Sequence, residues 1–190
     1  MLNYQDFEEK TLERKEIYHG AIIDLYLDTV KVPNGDTAKR ELVFHPGGVA
    51  VIPILEDGRM LLVRQFRKPL ERIMLEIPAG KIEKDEGRHP DETAKRELEE
   101  ETGFRAHSWQ KLAEMALSPG FANEVLHIYL AEDLVKVENP LPQDEDEVIE
   151  LVAMTLAELK AAVKSGAIYD AKTIYAVTYY ELQLLKKQHA

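Results

Sequence analysis

The stretch Gly80-Lys-Ile-Glu-Lys-Asp-Glu-Gly-Arg-His-Pro-Asp-Glu-Thr-Ala-Lys-Arg-Glu-Leu-Glu-Glu-Glu-Thr-Gly-Phe104 decides the reading of this 190-residue chain. At its centre stands Arg96-Glu97-Leu98-Glu99-Glu100-Glu101-Thr102-Gly103. As a helix, this run places Glu97, Glu100 and Glu101 at i, i+3 and i+4, on one face. Such a face is unfavourable by itself. Like charges at i,i+4 cost roughly 0.2–0.5 kcal/mol, and Gly103, a natural helix terminator, sets these acids at the negative pole of the helix dipole. A divalent cation would turn the repulsion into attraction, because hard cations take oxygen ligands. Glu99 points away from that face and is expected to be an ordinary solvated acid.

Working upstream, Ile73-Met74-Leu75-Glu76-Ile77-Pro78 reads as a strand that runs into Ala79-Gly80. A strand, a glycine turn, a loop and an acidic helix together describe a built site. Further upstream, Ile17 to Val32, the turn Pro33-Asn34-Gly35-Asp36 and Ala38 to Phe44 form an antiparallel β unit. Strands of this length bury little alone, so the unit is expected to lean on something larger or on a second copy. Strands are also predicted over Gly48 to Leu55, Met60 to Phe66, Trp109 to Ala116 and Val125 to Leu130. Glu138 to Glu147 reads as a mobile loop, and Leu156 to Ser165 and Asp170 to Lys187 as helices.

Bulk properties narrow the function. A formal net charge of −11 argues against nucleic-acid binding by phosphate neutralisation, so no nucleic-acid partner is expected. No apolar run reaches the roughly 18–20 residues of a membrane span, and the charged N-terminal segment is not a signal peptide. The chain has no cysteine, which fits a reducing cytoplasm.

The segment from Gly80 to Phe104 resembles the Nudix box. Gly80 and Glu86 fill its first half, and Arg96, Glu97, Leu98, Glu100, Glu101, Gly103 and Phe104 its second. Nine residues, Gly87 to Lys95, separate Glu86 from Arg96 where the family pattern has seven. This departure lengthens the loop before the helix. The stretches Gln65 to Glu71, Glu76 to Gly80, Ser118-Pro119-Gly120-Phe121 and Tyr169-Asp170-Ala171-Lys172-Thr173 resemble the ADP-ribose pyrophosphatase branch. So does the placement of Pro119, sixteen residues beyond Gly103.

The resemblance implies an α/β fold: a Nudix-type α/β/α sandwich with a mixed sheet over residues 47–190, and a small antiparallel β unit for dimerisation over 1–46. It implies Mg²⁺-dependent hydrolysis of ADP-ribose to AMP and ribose 5-phosphate by a homodimer, with Mn²⁺ able to substitute. The metal would be held by Glu97, Glu100, Glu101 and the carbonyl of Ala79, with Arg96 orienting the glutamates. Glu145 is placed as the base that activates water and Glu147 as its neighbour. Arg67 and Arg40 are candidates for phosphate, Tyr18 for adenine, and Pro119, Gly120 and Glu124 for the substrate's surroundings. Two alternatives stand: hydrolysis of another nucleoside diphosphate sugar or dinucleotide, and a non-catalytic sensor of ADP-ribose. His45, His89, His107 and His127 show no ligand spacing and are read as structural or surface residues.

Overall fold

The computed structural model describes residues 3–82, 89–143 and 148–188. Contacts divide the chain into two compact units, one of residues 1–47 with 115–126, the other of residues 48–114 with 127–190.

The first unit is a three-stranded antiparallel meander of β1 (Lys10–His19), β2 (Asp24–Lys31) and β3 (Thr37–Phe44). Between β2 and β3 the chain reverses at Asn34-Gly35, where Gly35 adopts φ 93° and the Asn34 side chain accepts the Asp36 N–H at 3.0 Å. That left-handed backbone is why a glycine stands there. The interior of this unit is electrostatic rather than apolar. Asp28, 0% exposed, takes both arms of the Arg14 fork at 2.8 Å, and the guanidinium lies over the rings of Tyr26 and Phe44. Every residue of β1 is exposed, Leu12, Ile17 and Tyr18 among them.

The second unit contains two sheets. One runs in the order β10 (Glu150–Met154), β5 (Met60–Arg67), β6 (Arg72–Glu76). The other runs β7 (Ala79–Lys81), β4 (Gly48–Pro53), β9 (Val125–Lys136), β8 (Phe104–Ala116). The hairpin tip between β8 and β9 groups with the first unit. Strand β4 is buried throughout, as its unbroken Val-Ala-Val-Ile run requires. Helices α1 (Pro90–Thr102), α2 (Leu156–Ser165) and α3 (Ala171–Gln188) complete the unit, giving the expected mixed α/β architecture.

Helix α1 positions the site, and its sequence shows why it forms. Proline sits in its first turn, Asp91 and Glu92 face the positive pole, and Gly103 closes it at φ 70° with its N–H on the Glu99 carbonyl. Ala94 and Leu98 pack with Val49, Val51, Tyr129 and Ala131 in one core cluster. The Tyr129 hydroxyl also donates to Asp91 at 2.6 Å, tying the helix start to β9. At the other end of the unit, α2 begins with a capping box in which Thr155 and Glu158 satisfy each other's backbone N–H groups.

Several elements differ from the sequence reading: the run Ile17 to Val32 is divided between β1, which starts at Lys10, and β2, Ala79–Lys81 is a strand where a glycine turn is expected, and β9 continues to Lys136. Strand β8 starts at Phe104, directly after the helix terminator, because Phe104 N–H is caught by the Thr102 hydroxyl at 3.1 Å. Strand β10 lies in a stretch to which no element was assigned, and it is held by pairing with β5.

Leu98 is 0% exposed and lies in the core cluster that seats α1. Leu98→Ala is expected to lower unfolding free energy by about 2–5 kcal/mol, the range for a buried leucine that leaves a cavity, measured by urea denaturation.

Candidate active site

The acidic end of α1 meets the backbone between β6 and β7. Glu101 is 2% exposed and accepts the Ala79 N–H on Oε2 at 3.1 Å. Glu97 is 8% exposed, and its carboxylate lies over Gly80 so closely that a Cβ there would fall 1.9 Å from its carboxyl carbon. Gly80 is therefore fixed by a close approach rather than by a turn. Arg96 joins the remaining pair, with Nη2 donating to Glu97 at 2.7 Å and Nη1 to Glu100. Burial works against the Arg96 charge, but the charges of Glu97 and Glu100 and their hydrogen bonds hold its pKa above the usual arginine value.

Ala79, Arg96, Glu97, Glu100 and Glu101 are thus brought together, and the acids do not splay into solvent. A cavity of about 510 Å³ opens beside Glu100 and Glu101, walled by Lys136, Glu138, Pro140 and Gln143 among others. That volume is within the range of small-molecule pockets. Among the described residues, no three acids or histidines form a ready-made metal cage. The donors nevertheless suit a hard cation. They are the carboxylate oxygens of Glu97, Glu100 and Glu101, two of which meet the Arg96 guanidinium, and Glu97 crowds a glycine where a side chain would not fit. A cation such as Mg²⁺, which keeps several of its waters, needs no closed cage.

Glu99 departs from expectation. It is 4% exposed rather than solvated, and it accepts from Arg105 Nη2 at 2.9 Å and from the Leu141 N–H at 3.2 Å. The Arg105 hydrogen bond, helped by the Leu141 N–H, keeps its pKa below the usual glutamate value despite burial. Its role is to anchor the segment after β9 to the back of α1.

Arg67, at the end of β5, is paired through Nε and Nη2 with Glu76 at 2.8 and 2.9 Å. The other proposed substrate residues belong to the small β unit. Arg40 pairs with Glu9 at 2.8 and 2.5 Å. The ring of Tyr18 lies against Gly20, and the side chain is 56% exposed. Pro119 and Gly120 form a tight turn in which Ser118 carbonyl accepts the Phe121 and Ala122 N–H groups. Glu124 lies 3.8 Å from His45 Nδ1, which also accepts the Gly47 N–H at 3.0 Å. Glu86, Glu145 and Glu147 lie outside the described residues.

Sequence reasoning missed a buried charged group centred on Glu76, which is 3% exposed. Besides Arg67 it binds Lys172 of α3, whose ammonium also lies 3.1 Å from Asp170. An acid within the apolar Ile73–Pro78 run was the available signal.

A NUDIX domain model matches residues 44–176. An ADP-ribose pyrophosphatase of Bacillus subtilis (strain 168) is 48% identical over 179 residues, covering 94% of this chain and 96% of that protein. A methanol dehydrogenase activator of Bacillus methanolicus is 49% identical over 177 residues, covering 93% and 95%. Among solved structures, an ADP compounds hydrolase superposes with a TM-score of 0.82 over 95% of this chain and 96% of that one, at 24% identity. Two glutamates of the box pattern, Glu97 and Glu101, are those that the fold gathers against Ala79 and Gly80, and the domain match with the near full-length relatives shows that the chain belongs to the Nudix family.

Proposed function

We propose that this protein hydrolyses the diphosphate bridge of ADP-ribose, giving AMP and ribose 5-phosphate. The observation that carries the reaction class is the convergence of Glu97 and Glu101 on the Ala79–Gly80 backbone, with Glu100 beside them through Arg96. The substrate is supported by near full-length similarity to the B. subtilis ADP-ribose pyrophosphatase.

Glu97, Glu100, Glu101 and the Ala79 carbonyl would hold Mg²⁺. When bound, the cation supplies neutralisation of the diphosphate and promotes ionisation of the attacking water. The chain supplies the rest. Arg96 keeps Glu97 and Glu100 oriented, so little side-chain freedom remains to be lost. Arg67, held in orientation by Glu76 through Nε and Nη2, adds a guanidinium charge for phosphate oxygens. Glu145, assigned from its place in the acidic loop, takes the water's proton, with Glu147 beside it. Tyr18 stacks on adenine, and Arg40, Pro119, Gly120 and Glu124 border the nucleotide.

The assignments within the small β unit go with a homodimer. Its first strand is exposed along its whole length, with Leu12 53%, Ile17 49% and Tyr18 56% accessible. A second copy would cover such a face. We also place the protein in the cytoplasm: its chain lacks cysteine, and none of its helices among the described residues is long and apolar enough to cross a membrane.

A second reading is favoured by the B. methanolicus relative, whose name describes activation of a dehydrogenase. On this reading the chain also stimulates an alcohol dehydrogenase. A raised methanol dehydrogenase rate on adding the protein would support it, and an unchanged rate would remove it.

AMP release from ADP-ribose in Mg²⁺, followed chromatographically, tests the main proposal. Glu101→Gln is expected to lose at least about 10²-fold in kcat, as for removal of a group that stabilises transition-state charge. Gly80→Ala should also lose activity by displacing Glu97, and EDTA should abolish turnover. Wild-type binding of ADP-ribose without AMP release would instead favour the sensor. Light scattering should give twice the 21.7 kDa chain mass, and a monomer mass would remove the dimer assignment.

A further inference from the structure

The segment Glu76–Gly80 is held residue by residue. The Glu76 carboxylate takes the Arg67 fork on one side and the Lys172 ammonium on the other. Ile77 N–H donates to the Thr173 hydroxyl at 3.0 Å, and the Pro78 carbonyl accepts the Val51 N–H at 2.9 Å. Ala79 and Gly80 meet Glu101 and Glu97. Two of these restraints come from the first turn of α3. That turn is itself fixed, because Asp170 accepts the Thr173 N–H at 2.9 Å and the Thr173 hydroxyl at 2.6 Å while pairing with Lys172 at 3.1 Å.

Arg67, Glu76, Lys172 and Asp170 thus form a chain of alternating cations and anions, a quartet linked in that order. Glu76 is 3% and Lys172 8% exposed. Burying such charges is costly, and well-packed apolar side chains often serve stability as well or better. Geometry is what this quartet supplies and apolar packing would not. Glu76 sets the plane of the Arg67 guanidinium, whose side chain is 35% exposed. Lys172 in turn fixes the oxygen of Glu76 that Arg67 Nη2 shares.

We propose that Lys172 is a positioning residue for diphosphate binding, acting through Glu76 on Arg67. This rests on the reading above, in which Arg67 meets the diphosphate. Without Lys172 the shared Glu76 oxygen is no longer fixed from α3, and the Arg67 fork can turn with it. A charge-preserving replacement keeps the restraint.

The test uses the full chain, Mg²⁺ and the α,β-methylene analogue of ADP-ribose, with binding read by calorimetry. Lys172→Met is expected to weaken analogue binding about tenfold, the lower range for losing a partner that orients a binding group. Lys172→Arg should recover most of that loss. Arg67→Ala combined with Lys172→Met should bind no more weakly than Arg67→Ala alone, since the two act as one unit. Thermal unfolding is recorded for each variant, and Lys172→Gln carries the comparison should Lys172→Met not fold. Unchanged binding in Lys172→Met, or losses that multiply in the double variant, would overturn the proposal. Absence of analogue binding by the wild-type protein would overturn it together with the substrate reading. Wild-type binding with no AMP release from ADP-ribose would remove the hydrolase reading alone and leave the positioning result standing.

Discussion

The pairing of Arg96 with Glu97 and Glu100 makes the rest of the site physically admissible. Three buried or half-buried carboxylates at the C-terminal end of a helix repel one another and oppose its dipole. Arg96 bridges two of them from within the same helix and offsets one charge, and the Ala79 N–H satisfies one oxygen of the third. The helix can therefore fold with its acids in place and remain two formal charges short of neutrality. A diphosphate could not approach such a surface unaided, since the whole chain carries a net charge of −11. An electrostatic deficit that is tolerated in the folded protein is a natural place for a divalent cation.

The two compact units solve the problem of stability differently. In the larger one, β4 and the inner face of α1 are apolar and fully buried, so polar groups at the other face can be held against a rigid support. The smaller one has almost no apolar interior. Val30 and Leu126 are its buried hydrophobic residues, and a charged pair under two rings stands where a core would be. Its exposed strand β1 is therefore not a surface finished for solvent.

Much of this architecture was legible in the sequence, for identifiable reasons. Helix α1 announces itself through Pro90, Ala94, Leu98 and Gly103, which set its start, its buried stripe and its stop. Helices α2 and α3 show ordinary amphipathic periodicity. What escaped detection depends on partners distant in the chain. Glu150–Met154 becomes a strand because β5 offers it an edge, and nothing local demands that. Glu99 looks like any glutamate on a charged helix, and only Arg105 and Leu141 make it a buried anchor. Glu76 and Lys172 are ninety-six positions apart, so no local pattern could have joined them.

That separation also explains why the charged quartet belongs at this place in the fold. Strand β6 and the first turn of α3 are joined by few restraints that specify orientation, because apolar contacts are non-directional. Lys172 donates to Glu76, and the next residue, Ile77, donates its N–H to the Thr173 hydroxyl, so two successive residues of the strand end are fixed by the first turn of α3. Burial pushes the Glu76 pKa upward, but the hydrogen bond from Arg67 and the charges of Lys172 and Arg67 prevail, and it lies below the usual glutamate value. Both partners therefore favour the ionised carboxylate. The same strand end leads through Pro78 to Ala79 and Gly80, where the Glu97 carboxylate occupies the space that a Cβ would need.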